Sequence, residues 1–566
     1  MTQEEVVASL PAHLRPFVQV QDYAQRYTAQ DQALWRFIMR HLVQQLRVTA
    51  HPVYLEGLAR TGIALDHIPS IDEMNACLAQ LGWRAVVVDG FIPPAIFMEF
   101  QALRVLVIAL DMRSVDHVFY TPAPDIVHEA AGHAPFIVDV DYAEFLQRFG
   151  EVGMLAIASQ RDDAQYEAIR KLSILKETPG VQASAIAAAE QALTELQEAG
   201  EAPSEAALLA RLHWWTVEDG LVGDLADYRI FGAGLLSSLG ESRHCLDDAR
   251  VRKLPLTVDA VACPYDITRE QPQLYVTRSC RHLSQVLEEF AATMAFRVGG
   301  AAALRRAIAA GTVCTATYDS GVQVSGRFKA LRCDAVGQAI YLQCEGPSQL
   351  AFRGREIYGH GTAAHNDGFG SPVGKLKDFT RCLSEYSVDE LQAHDIRMGE
   401  RVCLEFLSGI TVRGHLHHVV RQEHRNLVLS FLDCAVTDLQ GNVLFEPGQG
   451  RYDMAVGGAI TAVSGGSADR EKYPLYQPVA STHTQHAATD PTLEAAYQAV
   501  LALGQQGNEA AAAAALDEWP DDWLLRVEVL ALGERAPAAL SARAQRELQA
   551  LGTRRDELHD VLALMQ

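Results

Sequence analysis

A segment that recurs 88 residues further on constrains this 566-residue chain more than any other feature of its sequence. Val313-Cys-Thr-Ala-Thr-Tyr-Asp-Ser-Gly-Val-Gln-Val-Ser-Gly326 is echoed by Val402-Cys-Leu-Glu-Phe-Leu-Ser-Gly-Ile-Thr-Val-Arg-Gly414, and Ala339-Ile-Tyr-Leu-Gln-Cys344 by Leu427-Val-Leu-Ser-Phe-Leu432. Ser320-Gly321 and Ser408-Gly409 stand at equivalent points between β-rich runs, where Ser-Gly supplies a hairpin turn. One offset held over separate features implies two copies of a small β unit.

The hydrophobic period divides the rest. Up to Met294 apolar residues recur at helical spacing, and after Arg297 the period moves toward 2. We therefore expect a region over 1–296, a first β unit over 297–375, a second over 376–466, a linker over 467–490 and a helical C-terminal region over 491–566, read as a small docking bundle. Such a division suits the length, at roughly 100–200 residues per domain. Residues 160–209, rich in Ala, Glu and Gln, read as a helical insertion with an exposed charged face. The loop 359–374 mixes glycines with two histidines; it reads as an irregular connection, with ligand binding as the alternative.

Charge narrows the partners. With 48 basic and 71 acidic residues the formal net charge is -23, which disfavours nucleic acid or an anionic membrane, since both reward clustered Lys and Arg. Residues 1–10 carry Glu4 and Glu5 and do not read as a secretory signal. Scattered cysteines without a CxxC pair suit reduced thiols, so a cytoplasmic location is expected.

The chemistry concentrates in Tyr120-Thr-Pro-Ala-Pro-Asp-Ile-Val-His-Glu-Ala-Ala-Gly-His-Ala-Pro135. His128 and His133 are five apart, which in a regular α-helix separates them by about 140°. Both reach one ion if the helix ends or loosens between them, and Gly132 and Pro135 are where that is expected. The fragment fails the His-Glu-x-x-His zinc signature, because Gly132 occupies the second histidine's place. A third ligand must come from elsewhere, and Trp214-Trp-Thr-Val-Glu218 offers a carboxylate in an apolar setting. Two histidines and one carboxylate suit non-haem Fe(II) with open positions.

Thr121-Pro-Ala-Pro-Asp-Ile-Val-His-Glu129, Gly132-His-Ala-Pro135, Tyr142-Ala-Glu-Phe145, Trp215-Thr-Val-Glu218 and Gly232-Ala-Gly-Leu-Leu-Ser-Ser-Leu-Gly-Glu241 together resemble, in order, the motifs of the tetrahydropterin-dependent aromatic amino acid hydroxylases. The resemblance runs from about residue 27 to 294 and is nearest to the family's phenylalanine 4-hydroxylases. It implies a mainly α catalytic domain of hydroxylase type, so the chain is read as multidomain, that domain being followed by the two repeated β units and a C-terminal helical segment. It implies His128, His133 and Glu218 as iron ligands and Arg113 as the partner of the substrate carboxylate. Thr121, Gly234 and Ser237 would line the amino acid site, with Trp214 and Pro122 shaping the ring slot. Glu129 would face pterin and an iron-bound water, as the catalytic carboxylate. Gly90, Ile92 and Phe97 belong to the stretch aligned with the pterin loop, Phe97 at the position that stacks on the pterin. The implied cofactors are Fe(II) and tetrahydropterin, and the implied activity is ring hydroxylation of an aromatic amino acid by O2, L-phenylalanine to L-tyrosine, in phenylalanine catabolism.

Three positions depart from the pattern. Asp219 stands where the family has Phe, His213 where it has Tyr near the iron, and Val107 where it has His near the pterin. Two other readings therefore stay open: an iron oxygenase with another aromatic substrate, and a non-catalytic sensor or scaffold for an aromatic metabolite. Self-association is the expectation for the β repeats and terminal helices.

Overall fold

The computed structural model describes residues 1–119, 124–177, 181–198, 200, 202–267, 269–477, 490–555 and 558–565. The longest helix, Ala29–Thr49, is set by a capping box between Thr28 and Asp31, which satisfies orphan N–H groups at its first turn. Ala33, Leu34, Phe37, Ile38, Leu42 and Leu46 recur on its buried side, the stripe that a 3.6-residue period aims at a core. Trp35, Trp83, Trp215, Phe145 and Phe149 fill that core.

The region expected to be mainly helical is mixed. Arg84–Val88 and Val105–Ala109 pair in parallel, joined by the helix Pro94–Ala102. A second sheet orders Tyr228–Ile230, Leu221–Gly223, Gln273–Thr277 and Arg252–Pro255. These strands are only three to five residues long, too short to impose an alternation visible against the surrounding helical period. In the insertion, Gln160–Glu177 and Ala183–Glu198 bury Leu172, Ala189 and Leu193 in a small cluster of their own.

The duplicated offset is visible in the strand register. Val313–Tyr318 pairs with Val322–Cys333, placing Cys314 opposite Gly326, and Arg401–Glu405 pairs with Thr411–Gln422, placing Val402 opposite Gly414. Cys314 thus corresponds to Val402, so the apparent Val-Cys match at the start of each repeat is one residue out of structural register. Register irregularities between Ser325 and Arg327 and between Phe328 and Ala330 recur between Arg413 and His415 and between Leu416 and His418. A bulge bends its strand and is a designed feature rather than noise. Gly321 and Gly409 both take positive φ, +92° and +82°, the conformation that the turns require.

Two expectations for this half need correction. The first β unit is preceded by the helix Gly300–Ala310, whose alanine-rich sequence weakened the period signal. The second unit does not simply follow the first: Ile460–Gly465 pairs with Val313–Tyr318, so the chain returns to the first sheet after completing the second. The loop at 359–374 contains the strand Phe369–Pro372, paired with Ala339–Phe352.

The terminal helices pack on the outer side of Ala29–Thr49, where Trp523 meets Phe37 edge to face with ring centroids 5.2 Å apart and Arg36 Nε donates to Glu528 at 3.2 Å. Of the segment expected as a linker, 478–489 lies outside the described residues, but 467–477 is docked. Arg470 donates to Glu99 Oε2 at 2.7 Å, and His13 Nε2 lies 2.9 Å from Glu99 Oε1. The ten cysteines are free thiols. No helix among the described residues is long and apolar enough to cross a membrane.

Burial pushes the Glu99 carboxyl up, but His13 and Arg470 outweigh it and hold it below its ordinary value of 4.5. A carboxylate held low in the folded state stabilises the protein above its unfolded value, and that contribution is lost as pH falls through the folded value. Glu99→Gln should cost about 2 kcal/mol at pH 7 in urea unfolding, and the gap from wild type should close as pH drops below about 4.5.

Candidate active site

The metal-ligand candidates are brought together by an unusual winding. Val127–His133 is a π-helix, followed by a 3-10 turn, Ala134–Val138, with Pro135 in its first positions. An i to i+5 hydrogen-bond pattern puts residues five apart on one face. The expected loosening is therefore spread over the whole turn and not confined to Gly132 and Pro135. His128 Nε2 and His133 Nε2 lie 3.1 Å apart.

The third ligand candidate comes from a second π-helix. Glu205–His213 continues into Trp214–Glu218, which ends on the carboxylate. Glu218 Oε2 is 3.2 Å from His128 Nε2, and Oε1 is 3.5 Å from His133 Nε2. Donor separations of this size are those of atoms sharing one ion at about 2.1 Å, so the three residues fit a divalent metal. All three are at most 19% exposed in the side chain, so an ion there is held against little competition from bulk water.

The orientation of His128 follows from its neighbour. Ser237 Oγ donates to Ala233 O at 2.7 Å and lies 3.1 Å from His128 Nδ1. With its proton so committed, Ser237 accepts from Nδ1–H, which leaves the Nε2 lone pair for a metal. Gly132 permits this arrangement: a Cβ there would lie 2.7 Å from Ala233 O, so a side chain would push Ala233–Ser237 off the π turn.

Arg113 is wholly buried and paired. Its Nε donates to Asp125 Oδ2 at 2.7 Å and its NH2 to Asp125 Oδ1 at 2.9 Å, while NH1 reaches Ser237 O at 3.3 Å. Asp125 Oδ1 also accepts from the backbone N–H of His128 at 2.9 Å. One carboxylate therefore orients the guanidinium and caps the turn that carries His128 and His133. Asp125 went unnoticed in the sequence, although an Asp three residues ahead of a helical histidine is the N-cap signal.

Burial dominates the electrostatics. It pushes Glu129 up to about 8 despite the opposing pull of His128, and Glu218 and Asp125 add to the rise. Glu129 Oε2 stands 3.9 Å from His133 Nε2. Burial lowers His133 to about 3. Burial pulls His128 down too, but Glu218, Glu129 and Asp125 raise it to about 9. Glu218 is held far below the usual carboxylate range, its burial outweighed by His133, His128 and His213.

The structure gathers the other expected residues around this centre, with exceptions. Thr121 and Pro122 lie outside the described residues. Trp214 stacks on Tyr265, centroids 4.4 Å apart and rings within 5° of parallel; Tyr265 carries no local sequence signal. Gly234 faces Asp219, since a Cβ on it would lie 2.8 Å from Asp219 Oδ1. Asp219 is 2% exposed and its Oδ2 has no hydrogen-bond partner. Burial, then Glu241 and Glu218, push its carboxyl well above the ordinary value.

Gly90 and Ile92 lie between Arg84–Val88 and Pro94–Ala102, and Ile92, Phe97 and Val107 share one apolar cluster with Tyr476. The cluster gives Val107 its place as a buried strand residue. Phe97 meets His213 edge to face at 5.9 Å, and His213 Nδ1 is 3.4 Å from Glu218 Oε1. His213 thus links the Phe97 side to the Glu218 carboxylate. Tyr166, on the inserted helix, donates to Phe91 O at 3.0 Å, so the insertion holds the loop that carries Gly90 and Ile92; nothing in the local sequence signals this contact.

The sequence model of the biopterin-dependent aromatic amino acid hydroxylases matches residues 19–176 and 174–299. The chain belongs to this family through that segment. It is 29% identical over 249 residues to the phenylalanine-4-hydroxylase of Ralstonia nicotianae, covering 44% of this chain and 66% of the relative. It is 31% identical over 225 residues to that of Chromobacterium violaceum, covering 40% and 61%, and 27% identical over 264 residues to that of Pseudomonas aeruginosa, covering 46% and 84%. The match thus spans less than two thirds of the first two relatives. A crystal structure of the Chromobacterium violaceum phenylalanine hydroxylase, with bound iron(III) and 7,8-dihydrobiopterin, is 26% identical, with 50% of this chain and 87% of that one covered and a TM-score of 0.39.

Because Ser237 and the π turn depend on the close approach at Gly132, Gly132→Ala should weaken divalent-metal binding by roughly 10–100-fold, the usual cost of losing an outer-shell partner. Equilibrium dialysis with Fe(II) under anaerobic conditions measures it, with circular dichroism expected to stay as in wild type.

Proposed function

We propose that the chain hydroxylates the ring of an aromatic amino acid, L-phenylalanine to L-tyrosine, with Fe(II), O2 and tetrahydropterin. The observation that carries this reading is the convergence of His128, His133 and Glu218, with Asp125 and Ser237 tying the buried Arg113 to His128. Bound at this centre, Fe(II) and tetrahydropterin supply the reduction of O2 and the delivery of one oxygen atom to the ring.

The chain's own part is placement and exclusion of water. His128, His133 and Glu218 would hold the ion from one side, which leaves positions open. Arg113, its plane fixed by Asp125, has N–H groups to spare on NH1 and NH2 for a substrate carboxylate, and a planar fork suits that partner. Trp214, braced by Tyr265, would form one wall of the ring slot, with Gly234 and Ser237 beside it. Phe97 would stack on the pterin from the helix Pro94–Ala102, with Gly90 and Ile92 in the loop that leads into it. Glu129, buried and able to hold a proton near pH 7, would face the pterin side of the ion.

A second reading concerns the substrate. Asp219 places a buried carboxyl next to Gly234, Oδ1 on the glycine's side and Oδ2 without a hydrogen-bond partner, in a site that would otherwise present an apolar wall. A buried polar group left unpaired costs about 1–3 kcal/mol, which a substrate ring bearing a polar substituent would recover.

Aerobic incubation of the Fe(II)-loaded chain with tetrahydropterin and phenylalanine, tyrosine or tryptophan should give a product 16 Da heavier by mass spectrometry, roughly the mass of one oxygen atom, and His128→Ala should give none. Arg113→Lys keeps the charge but loses the fork, so KM for the amino acid should rise about tenfold or more while kcat falls less. Asp219→Phe should raise kcat/KM for phenylalanine about tenfold, the value of roughly 1.4 kcal/mol; an unchanged value would sink the polar-substituent reading.

A further inference from the structure

Outside the hydroxylase segment, the β half carries a second cluster with the same donor set. His360 and His365, again five apart, lie in the connection that follows Ala339–Phe352, and Asp453 lies on the strand Tyr452–Ala455 of the other sheet. All three are buried, with exposures of 4%, 7% and 6%. We propose that His360 Nδ1, His365 Nε2 and Asp453 Oδ2 form a second metal site, taking a first-row divalent transition ion of the Zn(II) type, that joins the two β units.

The geometry points this way. The three donor atoms are separated by 3.3, 3.7 and 3.8 Å. The circle through them has a radius of about 2.1 Å, the length of a Zn–N or Zn–O bond. A direct hydrogen bond would account for the histidine pair alone. Both contacts to Asp453 are longer than a hydrogen bond allows, yet both rings turn a nitrogen toward the same carboxylate oxygen.

The surroundings hold the donors in place. The backbone N–H of His360 donates to Ile357 O at 2.9 Å and its carbonyl accepts from Leu350 N at 2.9 Å; the carbonyl of His365 accepts from Ser348 N at 3.0 Å. The connection is therefore fixed on the first sheet. Asp453 accepts from Ser430 through Oδ1, and Arg451 Nε donates to Oδ2 at 3.0 Å. Hydrogen bonds of this kind orient a ligating carboxylate. Arg451 also reaches Gly359 O at 3.4 Å, and Phe369 meets the His365 ring edge to face. Two imidazoles and one carboxylate suit Zn(II), Co(II) or Fe(II) and not Mg(II) or Ca(II), which take oxygen donors. The site is nearly closed to solvent, so its role is a cross-link between the two sheets.

Metal content separates this site from the hydroxylase centre. The full chain is stripped with chelator, reloaded with Zn(II), dialysed and read by mass spectrometry. Wild type should hold two equivalents. The His128→Ala/His133→Ala chain should hold one, the His360→Ala/His365→Ala chain one, and the fourfold variant none. Zn(II) should also raise the melting temperature of the His128→Ala/His133→Ala chain. Asp453→Asn, nearly isosteric, guards against a variant that misfolds: in the His128→Ala/His133→Ala background it should abolish the visible Co(II) absorption that the intact cluster gives. A His128→Ala/His133→Ala chain that binds neither Zn(II) nor Co(II) overturns the proposal, as does a His360→Ala/His365→Ala chain that still holds two equivalents.

Discussion

The architecture around the centre turns on one constraint: two histidines five residues apart must point at the same place. An α-helix cannot do this, and the chain answers with a π-wound turn from Val127 to His133. A π turn is held by tertiary contacts more than by propensity, and these surround it here. Asp125 caps it, Ser237 fixes the first imidazole, and the close packing of Ala233 against Gly132 seals the two segments together. The segment that carries the carboxylate candidate, Trp214–Glu218, solves its own placement by the same winding.

Burying so many charges is tolerated because each is answered by another. Removing a carboxylate from water costs several kcal/mol, recovered only with good partners. Asp125 has Arg113 and a backbone N–H; Glu218 has three histidines. Glu129 and Asp219 are exceptions, and burial answers both by favouring the neutral form. His213 transmits the arrangement outward, from the Glu218 carboxylate to the Phe97 ring.

The remaining length is neither a passive appendage nor a string of independent modules. The second β unit is nested inside the first sheet by the return of Ile460–Gly465, and Arg470 then ties the sheet's exit to Glu99 of the helix that carries Phe97. The insertion holds the loop before that helix through Tyr166. Additions far apart in sequence thus converge on the same side of the hydroxylase segment.

The sequence by itself determined the duplicated β pattern, because a two-residue period and Ser-Gly turns are local signals. It also determined the family and the candidate ligand set, because motif spacing survives in one dimension. What it left undecided is what depends on long-range packing. The π winding carries no propensity signature of its own. The pairing of Arg113 with Asp125, the stack of Trp214 on Tyr265 and the return strand at Ile460 join residues whose proximity no local pattern announces. The short strands at Leu221 and Tyr228 draw their stability from neighbours and not from alternation. His360, His365 and Asp453 make the point most sharply: two of them read as part of a connection, and only the packing of one sheet against the other brings the third within reach.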